Sequence, residues 1–120
     1  MQEKVQFTGI VVKNLDYQDN AQIAYILTKD ELISVIIKGA KKIDSKTRPL
    51  SQIITKISGL RTNSSRISTF TEGIIVDNYN DIKEDYLKTQ VTMCILEKIY
   101  YLYENFSMTE KIYDFVEQIL

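Results

Sequence analysis

The sequence predicts an α+β protein, mainly β: a small closed or nearly closed barrel of five strands, followed by two α-helices. Three observations predict it. Residues 1–76 contain five runs rich in β-branched and aromatic residues, separated by short polar segments. From residue 81 the apolar residues recur at intervals of three, four and seven, which is the helical period. Residues 81–105 contain neither Gly nor Pro. The expected division is a barrel over residues 1–79 and the start of a helical domain over 80–120.

The first strand is expected over Val5–Lys13, the second over Ala21–Thr28 and the third over Leu32–Lys38. Asn14–Asn20 and Lys29-Asp30-Glu31 are the polar segments between them. Pro49 biases Arg48 toward extended backbone and is expected to mark the return to a strand. Leu50–Leu60 then alternates unevenly, with Ile53, Ile54 and Ile57 apolar and Gly59 expected at its end. Asn63-Ser64-Ser65 is a turn signal. The fifth run starts at Arg66, with Ile67 and Phe70 as inward residues and Gly73 as a bulge before Ile74-Ile75-Val76. Five strands in so short a span suit a closed barrel, and closure removes the edges that such apolar strands would expose.

The first helix is expected from Asp81 to about Asn105, opened by a capping box in which Asp81 is the cap and Glu84 its partner. Ile82, Tyr86, Met93, Leu96, Tyr100 and Tyr103 form its apolar stripe, widened by Leu87, Val91, Cys94, Ile95, Ile99 and Leu102. A helix apolar on most faces needs more than one neighbour. A second capping box, Ser107-Met-Thr-Glu110, opens a helix with Ile112, Phe115, Val116 and Ile119 on one face and no stop signal. Two helices and a small barrel cannot bury that much apolar surface. The expectation is that the chain is a fragment of a longer helical domain, or that it dimerises through these helices.

Composition narrows the function classes. Hydrophobic residues make up 44% of the 120, enough for a core and too many for wholesale disorder. No window approaches the ~20 apolar residues that span a bilayer, and the N-terminus MQEKVQF lacks a signal peptide's apolar run, so a cytoplasmic protein is expected. There is no His and one Cys, which removes the commonest general base and leaves no ligand set for a structural zinc. Cys94 sits in an apolar run and is expected to be buried. The carboxylates of the barrel, Asp16, Asp19, Asp30 and Glu31, lie in expected turns, where Asp is common for conformational reasons. Nothing here points to an enzyme, a metal site or a cofactor.

Charge is unevenly distributed. Residues 1–80 carry 11 Lys/Arg against 8 Asp/Glu, a net of +3; residues 81–120 carry 4 against 8, a net of -4, and the two return the total of -1. The positive excess concentrates in Lys38-Gly-Ala-Lys-Lys-Ile-Asp-Ser-Lys-Thr-Arg48, with five cations and one carboxylate in eleven residues. A solvated loop that blunts a sheet edge is one reading of such a run. The density, the small Gly39 and Ala40 and the hydroxyls of Ser45 and Thr47 favour another: a site for a phosphate backbone held by several weak contacts. It is not a nucleoside-triphosphate loop, because the spacing of that motif and its following helix are absent. Lys38, Gly39, Lys41, Lys42, Lys46 and Arg48 are the candidate contacts, and Lys13, Arg61 and Arg66 candidate extensions of the track. Tyr17, in a polar loop, is the best candidate for base stacking; Phe7 and Phe70 read as core, and Tyr25 lies between.

These features, in this order, resemble the N-terminal half of the bacterial recombination mediator family RecO. Gly9-Ile-Val-Val-Lys13 followed by Tyr17 resembles the family's opening strand, and Ile26-Leu-Thr28 the end of its second. Lys38-Gly-Ala-Lys-Lys-Ile-Asp-Ser-Lys46 is similar to its small-residue and basic signature, with Leu50 where the next strand opens. Asp81–Tyr86 and Ser107–Leu120 fit the second domain in order and spacing. The chain departs from the family at Lys29-Asp30-Glu31, where a glycine is frequent, and at Ile53, where an aromatic is frequent.

The resemblance implies an oligonucleotide-binding (OB) barrel joined to a helical domain. It also implies a cytoplasmic, nucleoid-associated, non-enzymatic DNA repair protein. Such a protein binds single- and double-stranded DNA, anneals complementary strands and helps the recombinase replace single-strand-binding protein. The implied partners are DNA, RecR and the acidic, apolar C-terminal tail of single-strand-binding protein, whose site can lie in a part beyond this chain. No membrane is implied. The alternative is a protein-docking module: barrel and acidic helices bind other proteins, and the basic stretch is only solvated.

Overall fold

The structure is a computed structural model and describes residues 3–41, 46–63, 67–106 and 110–120. Five strands are present: β1 (Lys4–Asp16), β2 (Gln22–Thr28), β3 (Leu32–Ile37), β4 (Thr55–Thr62) and β5 (Ile67–Asp77). They close into a barrel in the order β1-β2-β3-β5-β4. All neighbours are antiparallel except β3 and β5, which close the barrel through a short parallel pairing of Ser34–Ile36 with Ile67–Thr69. This is the five-stranded OB architecture that the resemblance implies. Three helices follow: α1 (Asn80–Lys83), α2 (Tyr86–Phe106) and α3 (Glu110–Ile119).

β1 is long because it serves two partners. Its first half pairs with β4, its second half with β2, and the register shifts between Val11 and Lys13 where the strand bends. Gly9 sits in the overlap. A Cβ there would lie 2.6 Å from both the Ile26 side chain and the Leu27 carbonyl, so only glycine lets the two backbones approach.

Alternation along the strands divides the apolar residues between two cores. Phe7, Val11, Ala24, Ile26, Val35, Ile37, Leu50 and Ile57 fill the barrel. Phe7 meets Phe70 edge-on, with ring centroids 6.3 Å apart, so both rings are interior as expected. Ile10, Val12, Leu27 and Ile54 point the other way and meet Leu96 and Ile99 of α2 and Tyr113 and Val116 of α3. Lys56 of β4 is joined to Glu117 of α3 at 2.8 Å, the one salt bridge among the described residues.

Several local expectations are corrected. Pro49 opens a 3-10 turn over Arg48–Ser51, not a strand, and Arg48 is its first residue. The turn places Leu50 in the barrel core, and β4 begins only at Thr55. Gly59 does not end β4, nor is Gly73 a bulge: the two pair with each other inside β4 and β5, and the register shifts fall beside them, at Lys56/Ile57 and Leu60/Arg61.

The helix expected from Asp81 is two helices. Asp81 caps nothing; the residue before α1 is Tyr79, in the left-handed region at φ 50°, with no side-chain cap. Asp85 is the working cap, since its Oδ1 accepts from the Lys88 N–H at 3.1 Å and so satisfies a donor of the first turn of α2. Cys94 is exposed, not buried, because α2 presents Leu96 and Ile99 to the barrel and turns Cys94 away. The start signal at Ser107 lies outside the described residues.

Much of the helical stripe remains uncovered. Tyr86, Leu87 and Val91 are 79%, 71% and 51% exposed. No helix among the described residues is long and apolar enough to cross a membrane.

Candidate nucleic-acid interface

The turn between β1 and β2 is short and closed on itself. The Tyr17 N–H donates to the Ala21 carbonyl at 2.9 Å, and Asp19 takes a left-handed conformation, φ 51°, that Asp tolerates. Tyr17 is left 36% exposed.

After β3 the chain must turn sharply, and Gly39, at φ 76°, lets it do so. The connector then lies against the β1–β2 turn: the Lys41 N–H donates to the Asn20 carbonyl at 2.8 Å, and the Lys41 ammonium reaches the Tyr17 carbonyl at 3.5 Å. The far end of the connector folds back over its start. Thr47 Oγ1 donates to the Lys38 carbonyl at 2.9 Å, and Arg48 Nη1 to the Lys41 carbonyl at 3.1 Å.

A polar network beneath fixes this arrangement. Gln22 Nε2 donates to Asp16 Oδ1 at 3.0 Å, and the buried Ser51 hydroxyl donates to Gln22 Oε1 at 2.6 Å. Asn14 Nδ2 donates to the Ser51 carbonyl at 2.8 Å. These bonds satisfy one another's polar groups, so turn, strand start and 3-10 turn are held in one geometry.

The result is a groove of about 470 Å³ whose lining includes Tyr17, Asp19, Asn20, Ile36, Lys38 and Thr69. Lys38 and Lys46 are exposed and Lys41 is half-buried. None of these three, nor Arg48, is paired with a carboxylate among the described residues. Uncompensated ammonium groups beside an exposed ring and a positive-φ glycine can hold phosphate oxygens while leaving a planar group something to stack on.

The candidate residues thus sort by position. Lys38, Gly39, Lys41 and Tyr17 come together at one edge of the barrel. Arg48 braces the connector, its guanidinium engaged with a backbone carbonyl. Lys13 is elsewhere: its ammonium lies 4.4 Å from the centre of the Tyr100 ring and 5.9 Å from that of Tyr25, between β1 and α2. Tyr25 meets Tyr100 edge-on at 5.3 Å, so its ring is committed to the helix interface. The Arg61 Nη1 donates to the nearly buried Ser68 hydroxyl at 2.8 Å, which ties β4 to β5. Lys42 and Arg66 lie outside the described residues. The groove is also lined by Asp19, Asn20, Ile36 and Thr69, which residue type alone does not mark as contacts. Ile36 and Thr69 are register partners across β3 and β5, a relationship that no local pattern reveals.

The family described as "Recombination protein O N terminal" matches residues 1–79. "DNA repair protein RecO" of Bacillus cytotoxicus is 32% identical over 98 residues, which is 81% of this chain and 39% of that protein. "DNA repair protein RecO" of Listeria monocytogenes serotype 4b is 25% identical over 113 residues, 93% of this chain and 44% of that protein. The chain therefore spans about two fifths of the length of these curated relatives. Among solved structures, a chain of the S. pombe Stn1-Ten1 complex aligns over 79% of this chain and 76% of its own, with TM-score 0.48 and 11% identity. On the strength of the family match over residues 1–79 and of the Bacillus cytotoxicus relative, the chain belongs to the recombination protein O family.

Proposed function

We propose that the chain is the DNA-holding part of a DNA repair and recombination protein, and that it works by binding rather than by chemistry. The observation that carries this reading is the juxtaposition of Lys38 and Lys41, unpaired with carboxylate among the described residues, with the Tyr17–Ala21 turn on one edge of an OB barrel. Phosphate contacts from Lys38, Lys41 and Lys46 would hold single- and double-stranded DNA without reading sequence. Lys42 belongs to the same connector by sequence. Lys13 and Arg61, engaged elsewhere, are not part of the proposed track, and Arg66 stays a candidate by sequence.

Annealing follows from such contacts. Two strands pair readily when their charge is neutralised and their bases stay free, and backbone contacts do both. We infer that the longer protein uses this activity to anneal strands and to help a recombinase displace single-strand-binding protein. RecR and the C-terminal tail of single-strand-binding protein are the proposed partners and the cytoplasm, at the nucleoid, the proposed location. No catalytic step is assigned.

A second reading has support for the helices. Residues 81–120 carry a net charge of -4, poorly suited to DNA, and α2 exposes Tyr86, Leu87 and Tyr101. We propose that this part docks protein, either the rest of a longer chain or a partner. The test of the principal reading is DNA affinity with Lys38 and Lys41 both changed to Glu: affinity should fall for every sequence alike, and an unchanged affinity would remove the connector from the interface.

A further inference from the structure

We propose that the groove beside Tyr17 holds one unpaired nucleobase, so that this face takes single strands by base as well as by phosphate; the proposal rests on the DNA-binding reading above.

The groove has the make-up of a base site. Its volume, about 470 Å³, falls within the ~300–1,000 Å³ typical of small-molecule sites and leaves room for a base with its sugar. Tyr17, an aromatic residue 36% exposed, and the apolar Ile36 are among the lining residues. The Tyr17 backbone is pinned by its bond to Ala21 and by the Lys41 contact to its carbonyl, so the ring is presented from a fixed base.

Charge sets the direction of the strand. Asp19 lines the groove, and its carboxylate accepts no hydrogen bond among the described residues. A carboxylate repels phosphate but accepts from the amino and imino N–H groups of a base edge. The Lys38 ammonium is exposed at the same groove, and that of Lys41 sits beside the Tyr17 carbonyl. Base inward against Tyr17 and Asp19, with phosphate outward at Lys38 and Lys41, satisfies both signs. Reversal would set phosphate against the carboxylate. A duplex cannot enter in this way, because its bases are stacked and paired and extruding one costs a few kcal/mol. Duplex DNA would meet only the lysines.

The experiment is fluorescence anisotropy of the 120-residue chain with a mixed-sequence single strand, with its duplex, and with a strand of the same length made of abasic sugars. Aromatic–base stacking is worth ~1–3 kcal/mol, so Tyr17→Ala should weaken binding to the single strand by about 5- to 140-fold. It should leave the duplex and the abasic strand within about twofold, and Tyr17→Phe should keep the wild-type preference. Because the turn is held by backbone bonds, unchanged duplex affinity also reports that the variant is folded. Equal loss on all three ligands, or no loss on the single strand, overturns the base site while leaving the lysine contacts standing. Absence of DNA binding by the wild-type chain overturns both.

Discussion

The backbone N–H of Lys41 donates to the carbonyl of Asn20 at 2.8 Å, and through this bond the cationic connector and the turn between the first two strands form one surface. Neither segment is regular structure. The polar network Asp16–Gln22–Ser51–Asn14 below holds them together, so a loop-borne site gains the rigidity of the barrel.

Position separates Lys13 from the other cations. Its ammonium faces the rings of Tyr100 and Tyr25 rather than the groove. Lys13→Met should therefore leave DNA affinity within about twofold while lowering stability by ~0.5–1 kcal/mol, the usual worth of a cation–π contact near the surface. Anisotropy and urea unfolding of one variant measure both. A loss of DNA affinity without a loss of stability would place Lys13 on the track after all.

Gly9 tests the close approach of β1 to β2. In Gly9→Ala the new methyl meets the Leu27 carbonyl, which belongs to backbone and cannot swing away. Overpacking of this kind costs ~1–3 kcal/mol. Thermal unfolding should show a drop of several degrees, and an unchanged midpoint would mean that β1 and β2 sit further apart than described.

Alkaline pH should loosen the contact between barrel and helices. The hydrogen bond to Glu117 raises the pKa of Lys56, so this pair contributes fully below the ordinary lysine value of 10.5 and is lost as pH rises through the higher folded value. Burial likewise raises the pKa of Tyr79 and Tyr113 above 10.0, so their contribution is also present below that value and lost above it. Lys83 runs the other way. Burial lowers its pKa below 10.5, so the cost of its charge in the folded state is relieved as pH rises toward that value. The Lys83 gain is complete at 10.5, whereas the Tyr79 and Tyr113 losses begin at 10.0 and the Lys56 loss at 10.5, so stability should fall above about pH 10.5. Tyr79→Phe with Tyr113→Phe should flatten the fall in urea midpoints between about pH 9 and pH 11. A curve as steep as the wild type's would contradict the assignment.

The barrel is largely legible in the sequence because its strands carry β-branched runs that fit little else. Where the sequence misleads, two patterns coincide. Asp81 and Glu84 have capping-box spacing, yet the chain breaks after Lys83 and Asp85, one residue before the long apolar run, does the capping. Proline's effect on the preceding residue points to a strand, but Pro49 at the start of a 3-10 turn satisfies its fixed φ equally well. Cys94 defies its apolar surroundings because a stripe wider than one face cannot say which part meets the barrel. In the candidate site, Tyr17, Lys38, Gly39 and Lys41 can be chosen from residue type alone. Ile36 and Thr69 cannot, since their meeting depends on the parallel closure of β3 with β5.

The most direct measurement is the salt dependence of single-strand binding for the wild-type chain and for Lys38→Glu with Lys41→Glu. Each phosphate contact contributes about -0.7 to the slope of log affinity against log salt on single strands. The double variant should bind more weakly at every salt concentration, and removing two such lysines should make its slope shallower by about 1.4. Identical slopes and affinities for the two proteins would mean that phosphate does not rest on these lysines, and the connector would revert to a solvated loop.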